Sequence, residues 1–133
     1  MKVGEIYTPN VLTAAPAEDL GLAASRMDFH AVGALLVKDG MQMLGILTER
    51  DILRAVAEGR DLEGAMIAEY MTEDPVVVTP ETEATRAAAT MLALGVRHLP
   101  VKDRGDITGM LSARDLLAVE GFEDLARVVE ATA

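Results

Sequence analysis

Apolar residues recur along the chain with two alternating periods. Leu20, Ala23, Ala24, Met27 and Ala31 fall at i, i+3, i+4, i+7 and i+11, the spacing of one helical face. Two short apolar runs follow, at 34–37 and 43–47, each of strand length and separated by a polar gap holding Asp39-Gly40. The same series returns later. Ala84, Ala87, Ala88, Met91 and Gly95 repeat the helical spacing, and runs at 98–101 and 107–111 flank Arg104-Gly105. Upstream of each helix lies a short aliphatic stretch, Val11-Leu12-Thr13 or Val76-Val77-Val78, which predicts a strand. Pro16 and Pro80 then stand where the spacing predicts a helix start, with Thr79 as N-cap in the second copy and no such residue at Ala15 in the first. A second helix is predicted to open at Thr48 and again at Ser112.

The recurrence has a fixed offset. Moving the sequence by 64 positions aligns 3–55 with 67–119 without a gap, and 16 of the 53 pairs are identical. LLVKD lies over LPVKD, and GILTERD (45–51) over GMLSARD (109–115). Two long copies point to paired units rather than a solenoid. The expected organisation is an α/β (α+β) protein with the order β-α-β-β-α twice: repeat 1 over 1–59, a polar linker over 60–66, repeat 2 over 67–120 and a C-terminal helical tail over 121–133. In that tail Phe122, Leu125, Val128 and Val129 have roughly helical spacing.

Composition narrows the function classes. Half of the 133 residues are apolar and only four are aromatic, so a core of Ala, Val, Leu, Ile and Met is expected. The formal net charge of −10 disfavours nucleic-acid backbones and anionic membranes. It leaves room for one small anion where the few basic side chains gather. The chain has no cysteine, which removes disulfides, thiolate metal sites and cysteine nucleophiles. The start, MKVGEIYTPN, lacks the apolar core of a secretory signal, and no apolar stretch reaches the ~20 residues of a membrane span. A cytoplasmic location is therefore expected. His30 aligns with Leu94 and has no histidine partner, so no metal site is expected. No Walker loop, G-x-S-x-G elbow or H-E-x-x-H pair is present, and no catalytic residue is assigned.

The tandem copies, the β-α-β-β-α order, HLPVKD in the second copy and the G-h-h-[T/S]-x-x-D segment closing each copy together resemble the CBS domain family, named for cystathionine beta-synthase. The resemblance spans about residues 3–119. It implies two repeats packed through their sheets with pseudo-twofold symmetry, commonly paired into a homodimer. It also implies clefts between the repeats that bind adenosine-containing ligands. AMP, ADP or ATP are expected first, with S-adenosylmethionine, NAD and cyclic dinucleotides as further members of that class. Such modules sense a ligand and regulate a partner protein, here unknown, and are not usually enzymes.

The repeated segment itself carries chemistry. A strand running into a helix start presents free N–H groups that favour anions. Thr48 and Ser112 offer hydroxyls, and Arg50 and Arg114 offer forked donors to phosphate. Asp51 and Asp115 have the wrong charge for phosphate but can accept both hydroxyls of a ribose. The same spacing, Thr48-x-x-Asp51 and Ser112-x-x-Asp115, also fits a capping box that needs no ligand. By the resemblance, Arg97 and His98 are further phosphate contacts, though as plain residues they read as a solvated side chain and a strand-edge histidine. The first copy has Gly33 and Ala34 there, so the two sites are not equivalent. Also by resemblance, Val11, Thr13, Val32, Val76, Val78 and Val96 line the adenine, positions that otherwise read as core. The expected function is an adenine-nucleotide-sensing regulatory module acting by conformation or assembly. A ligand-independent dimerisation or docking module is the alternative, and a small nucleotide hydrolase a third.

Overall fold

A computed structural model describes residues 1–117. In chain order it contains a 3-10 turn (Val3–Glu5), β1 (Thr8–Pro9), β2 (Thr13–Ala14), α1 (Leu20–His30), β3 (Ala34–Asp39), β4 (Gln42–Thr48), α2 (Glu49–Ala57) and α3 (Ile67–Tyr70). There follow β5 (Thr72–Glu73), α4 (Ala84–Leu94), β6 (His98–Asp103), β7 (Asp106–Ser112) and α5 (Ala113–Leu116). The tail expected over 121–133 lies outside the described residues.

The long elements stand where the apolar periods place them. Each repeat folds a hairpin, β3–β4 or β6–β7, with matching registers: Ala34 opposes Thr48, and His98 opposes Ser112. β4 and β7 share the same burial sequence, exposed at the start and buried over their last residues but one. The turn Arg104-Gly105 has positive φ at both residues, 53° and 88°, the type I′ geometry that matches strand twist. Both helices α1 and α4 end on a left-handed residue, Ala31 or Gly95, with the next N–H reaching back to Met27 or Met91.

Two expectations are corrected. The helices open at Leu20 and Ala84, four residues after the prolines, because 15–19 form a turn in which Glu18 N–H donates to the Ala15 carbonyl. Asp19 is the N-cap of α1, its carboxylate accepting Leu22 N–H at 2.7 Å, whereas Glu83 caps α4 without a side-chain bond. The first helix is thus the firmly capped one. The stretch at 76–78 is not a full strand: only Val78 pairs, in parallel with Val101, while its counterpart β2 pairs with β3 over two residues.

The chain divides into two compact units, and they do not follow the sequence repeats. One comprises Leu12–Pro75; the other comprises Met1–Val11 with the chain from Val76. In the first, the four-stranded sheet runs β2-β3-β4-β5, so β5, a second-repeat segment by sequence, pairs with β4. In the second, the sheet runs β1-β7-β6, so the N-terminal β1 pairs with β7 of the later copy. The cores repeat the exchange. Ile67 is buried among Leu20, Leu35 and Leu47, while Val3 is buried among Met91, Leu99 and Leu111.

Candidate functional site

The two GILTERD-type segments make the same local structure. In the second unit, Ser112 N–H donates to Asp115 Oδ2 at 2.8 Å, and Asp115 N–H donates to Ser112 Oγ at 3.1 Å. This is a reciprocal capping box. In the first unit, Thr48 N–H donates to Asp51 Oδ2 at 2.8 Å and the Thr48 hydroxyl donates to the same oxygen at 3.3 Å. The helix starts are also tied alike to the residue that precedes each hairpin. Ala113 N–H donates to the Arg97 carbonyl at 2.8 Å, and Glu49 N–H to the Gly33 carbonyl at 3.1 Å. The register then sets residue 98 beside 112, and residue 34 beside 48.

The side chains on this shared frame differ. Asp51 is only 7% exposed, and its Oδ1 faces an Arg54 guanidinium nitrogen at 3.7 Å. Burial pushes its carboxyl upward, opposed by the Thr48 N–H and the charges of Arg54 and Arg50. Arg54 in turn donates to the Tyr70 carbonyl at 3.1 Å and lies 5.2 Å from its ring centre. The Tyr70 hydroxyl donates to Glu58 at 2.6 Å and accepts from Arg60 at 3.3 Å. Asp51 is therefore the inner end of a network tying α2 to α3.

Asp115 is half-buried and has a different neighbour, the Thr8 hydroxyl, which donates across its two oxygens at 3.3 and 3.5 Å. Around it stand Arg114, exposed, Arg97, exposed, and His98, half-buried. The His98 imidazole is pushed down to about 4, chiefly by burial and then by the charges of Arg97 and Arg114, with Asp115 pulling the other way. The Ser112 hydroxyl, acting as acceptor from Asp115 N–H, keeps its proton for a donor role. Thr48 spends its own proton on Asp51. The second unit thus gathers Arg97, His98, Ser112, Arg114 and Asp115, a local excess of positive charge in a chain of net −10. The first unit offers Thr48, Arg50 and Asp51 with Gly33 and Ala34 alongside.

The expected adenine-lining residues divide between the units. Val11, Val76, Val78 and Val96 belong with Asp115, and Thr13 and Val32 with Asp51. Val32 and Val76 are exposed, 37% and 49%, and Thr13 is exposed; Val11 and Val96 are half-buried. Val78 is part of the core. Sequence reasoning passed over Thr8, Arg54 and Tyr70. Thr8 had a signal, since it and Thr72 are one of the identical pairs at the 64-residue offset. Among the described residues no group of acidic, histidine or cysteine side chains could hold a metal ion, and no helix is long and apolar enough to cross a membrane.

The CBS domain family model matches twice, over residues 3–58 and 67–120. An uncharacterised 17.7 kDa protein of Acidianus ambivalens is 42% identical over 117 residues, covering 86% of this chain and 70% of that protein. The chain spans 64% of a Methanopyrus kandleri relative and 43% of one from Methanocaldococcus jannaschii. Among solved structures, a CBS domain protein of unknown function from Thermoplasma acidophilum superposes with a TM-score of 0.92 at 21% identity, covering 98% of this chain and 75% of that one. The protein CBSX2, solved in complex with AMP, superposes with a TM-score of 0.74 at 25% identity, covering 88% of this chain and 93% of that one.

Proposed function

The chain belongs to the CBS domain family as a tandem pair, and from that premise we propose that it is a regulatory module that senses an adenosine-containing ligand. The ribose would be accepted by Asp115, and the phosphate by Ser112, Arg114, Arg97 and His98. AMP, ADP or ATP are the ligands this chemistry favours, because two guanidiniums and a single carboxylate act on the His98 imidazole at this place. The observation that carries the reading is this gathering of two guanidiniums, an imidazole, a hydroxyl and one carboxylate at a helix start in an acidic protein. Binding of AMP by the structurally similar CBSX2 supports it. Asp51, with Thr48 and Arg50, would form a second site with fewer phosphate contacts. Output would be a change of conformation or assembly that a partner protein reads.

A second reading has its own support. Both capping boxes are complete without any ligand, as a module for dimerisation or partner docking alone would need. A thermal-shift panel separates the two. Ligand at about a hundredfold excess over Kd stabilises by about 2.7 kcal/mol through mass action, enough to raise Tm by several degrees. AMP, ADP, ATP, S-adenosylmethionine and NAD are tested on wild type and on Asp115→Asn. The expected outcome is a rise with at least one adenine nucleotide that shrinks in the variant. No rise with any member of the panel leaves the docking reading in place.

A further inference from the structure

We infer that Arg54 is the positioning residue of the Asp51 site: braced on Tyr70, it holds the buried Asp51 carboxylate as an acceptor for the sugar hydroxyls of a nucleotide. The inference rests on the nucleotide reading above and names what the second site of that reading depends on. Asp51 and Arg54 lie one turn apart on α2. One guanidinium reaches two partners: Nη1 stands 3.7 Å from Asp51 Oδ1, and Nη2 donates to the Tyr70 carbonyl at 3.1 Å. Its carbon lies 5.2 Å from the centre of the Tyr70 ring. That ring is itself fixed. Tyr70 is buried, its hydroxyl donates to Glu58 at 2.6 Å and accepts from Arg60 at 3.3 Å, and Arg60 reaches on to Glu69. Helix α3, which carries it, is anchored by the Ile67 and Ala68 N–H groups, which donate to the Glu18 and Pro16 carbonyls, both at 2.9 Å.

The two carboxylate oxygens have different duties. Asp51 Oδ2 is taken by the N–H and the hydroxyl of Thr48. Oδ1 accepts no hydrogen bond among the described residues, and 3.7 Å to Arg54 is an ion pair without one. Its two lone pairs are left for two neighbouring hydroxyls of a ribose. A carboxylate this buried keeps its charge only beside fixed donors and a cation; alone it takes a proton and becomes a donor itself. Burial pushes the carboxyl up, and the Thr48 N–H, Arg54 and then Arg50 oppose it. An arginine suits the task, because its charge persists at every working pH and its fork serves Asp51 and Tyr70 at once. The second copy lacks both parts of the brace: at the 64-residue offset Arg54 matches Ala118, and Tyr70 matches Ile6. Its aspartate, Asp115, is only half-buried and takes a hydroxyl from Thr8 instead. Guanidinium and ring are thus present where the aspartate is enclosed and absent where it is not.

NMR on the full chain tests this in wild type, Arg54→Gln and Arg54→Lys, with AMP as the probe and binding read from the amides of Thr48, Glu49 and Asp51. The Asp51 carboxyl carbon reports its protonation directly. Removing the opposing charge in Arg54→Gln is expected to raise the Asp51 midpoint by about one pH unit, the low end for a close opposite charge, since Arg54 is half exposed. AMP affinity at these amides should then begin to fall about one unit higher in pH than in wild type, and by about tenfold for each further unit. Arg54→Lys should keep most of the wild-type profile. Arg60→Gln breaks contacts with Tyr70 and Glu69 without touching Asp51, and should leave the profile where it is. Equal profiles in wild type and Arg54→Gln, tighter binding by Arg54→Gln, or an equal shift in Arg60→Gln overturns the inference and spares the nucleotide reading. AMP that moves none of these amides in wild type overturns the inference together with the Asp51 half of that reading.

Discussion

At the scale of single residues, the two aspartates show how identical motif letters acquire different jobs. Asp51 is enclosed with Arg54 and Thr48, so its carboxylate completes a network that the fold already uses. Asp115 is held by a hydroxyl from the N-terminal segment and shares its surroundings with a histidine kept neutral by burial. That histidine has a consequence for stability in the absence of any ligand. Its folded midpoint of about 4 lies below the ordinary value of 6.5. Between those two values the unfolded chain binds the extra proton and the folded chain does not, so the His98 contribution is present in full above pH 6.5 and is lost as pH falls toward 4. Each unit of separation is worth about 1.4 kcal/mol, giving a loss of up to about 3 kcal/mol across the window. Urea denaturation of wild type and His98→Gln between pH 7 and 5 checks it. Wild type should lose stability more steeply than the variant, and parallel curves would refute it.

At the scale of elements, the long helices and hairpins were legible because their periods are strong, and the short pairings were not because two-residue strands have no period to read. The proline rule misplaced both helix starts for a physical reason. Pro16 and Pro80 open a turn instead, and the cap that fixes α1 is Asp19, a residue no more conspicuous than its neighbours. The motif glycines, Gly45 and Gly109, lie inside strands, and their structural role is close approach. A Cβ added at Gly109 would collide with the Thr8 carbonyl and stand 2.7 Å from the Tyr7 ring, and one at Gly45 would collide with the Thr72 carbonyl. These glycines let β1 lie on β7 and β5 on β4. Gly109→Ala and Gly45→Ala are each expected to lower stability by roughly 1–3 kcal/mol, the range of overpacking changes. Ser25→Ala, on an exposed part of α1, serves as the reference and should stay within about 0.5 kcal/mol. Thermal melts of the three variants measure this, and a Gly109→Ala protein as stable as the reference would refute the close-approach role.

At the scale of the whole molecule, the 64-residue repeat made the pair of copies plain but hid which segments fold together. Similarity between copies shows that position 3 matches 67 and position 8 matches 72; it does not say which copy each of them joins. The structure assigns Val3 to the core of the later copy, where it is 0% exposed, and Ile67 to that of the earlier one. The N-terminal segment is bound there by backbone as well: Val3 N–H donates to the Thr82 carbonyl, Gly4 N–H to Pro80, and Ala84 N–H to Met1, all at 2.8 Å. Removing residues 1–11 therefore takes away one buried valine, worth about 2 kcal/mol, and three such bonds at about 1 kcal/mol each. A loss of about 5 kcal/mol is comparable to the whole stability of many domains. Hydrogen exchange locates the damage. If the segment belonged with its own repeat, the amides of β3 and β4 would lose protection. The exchange of segments predicts the reverse: deletion should speed exchange in β6 and β7, far along the sequence from the cut, and slow protection loss confined to β3 and β4 would refute it.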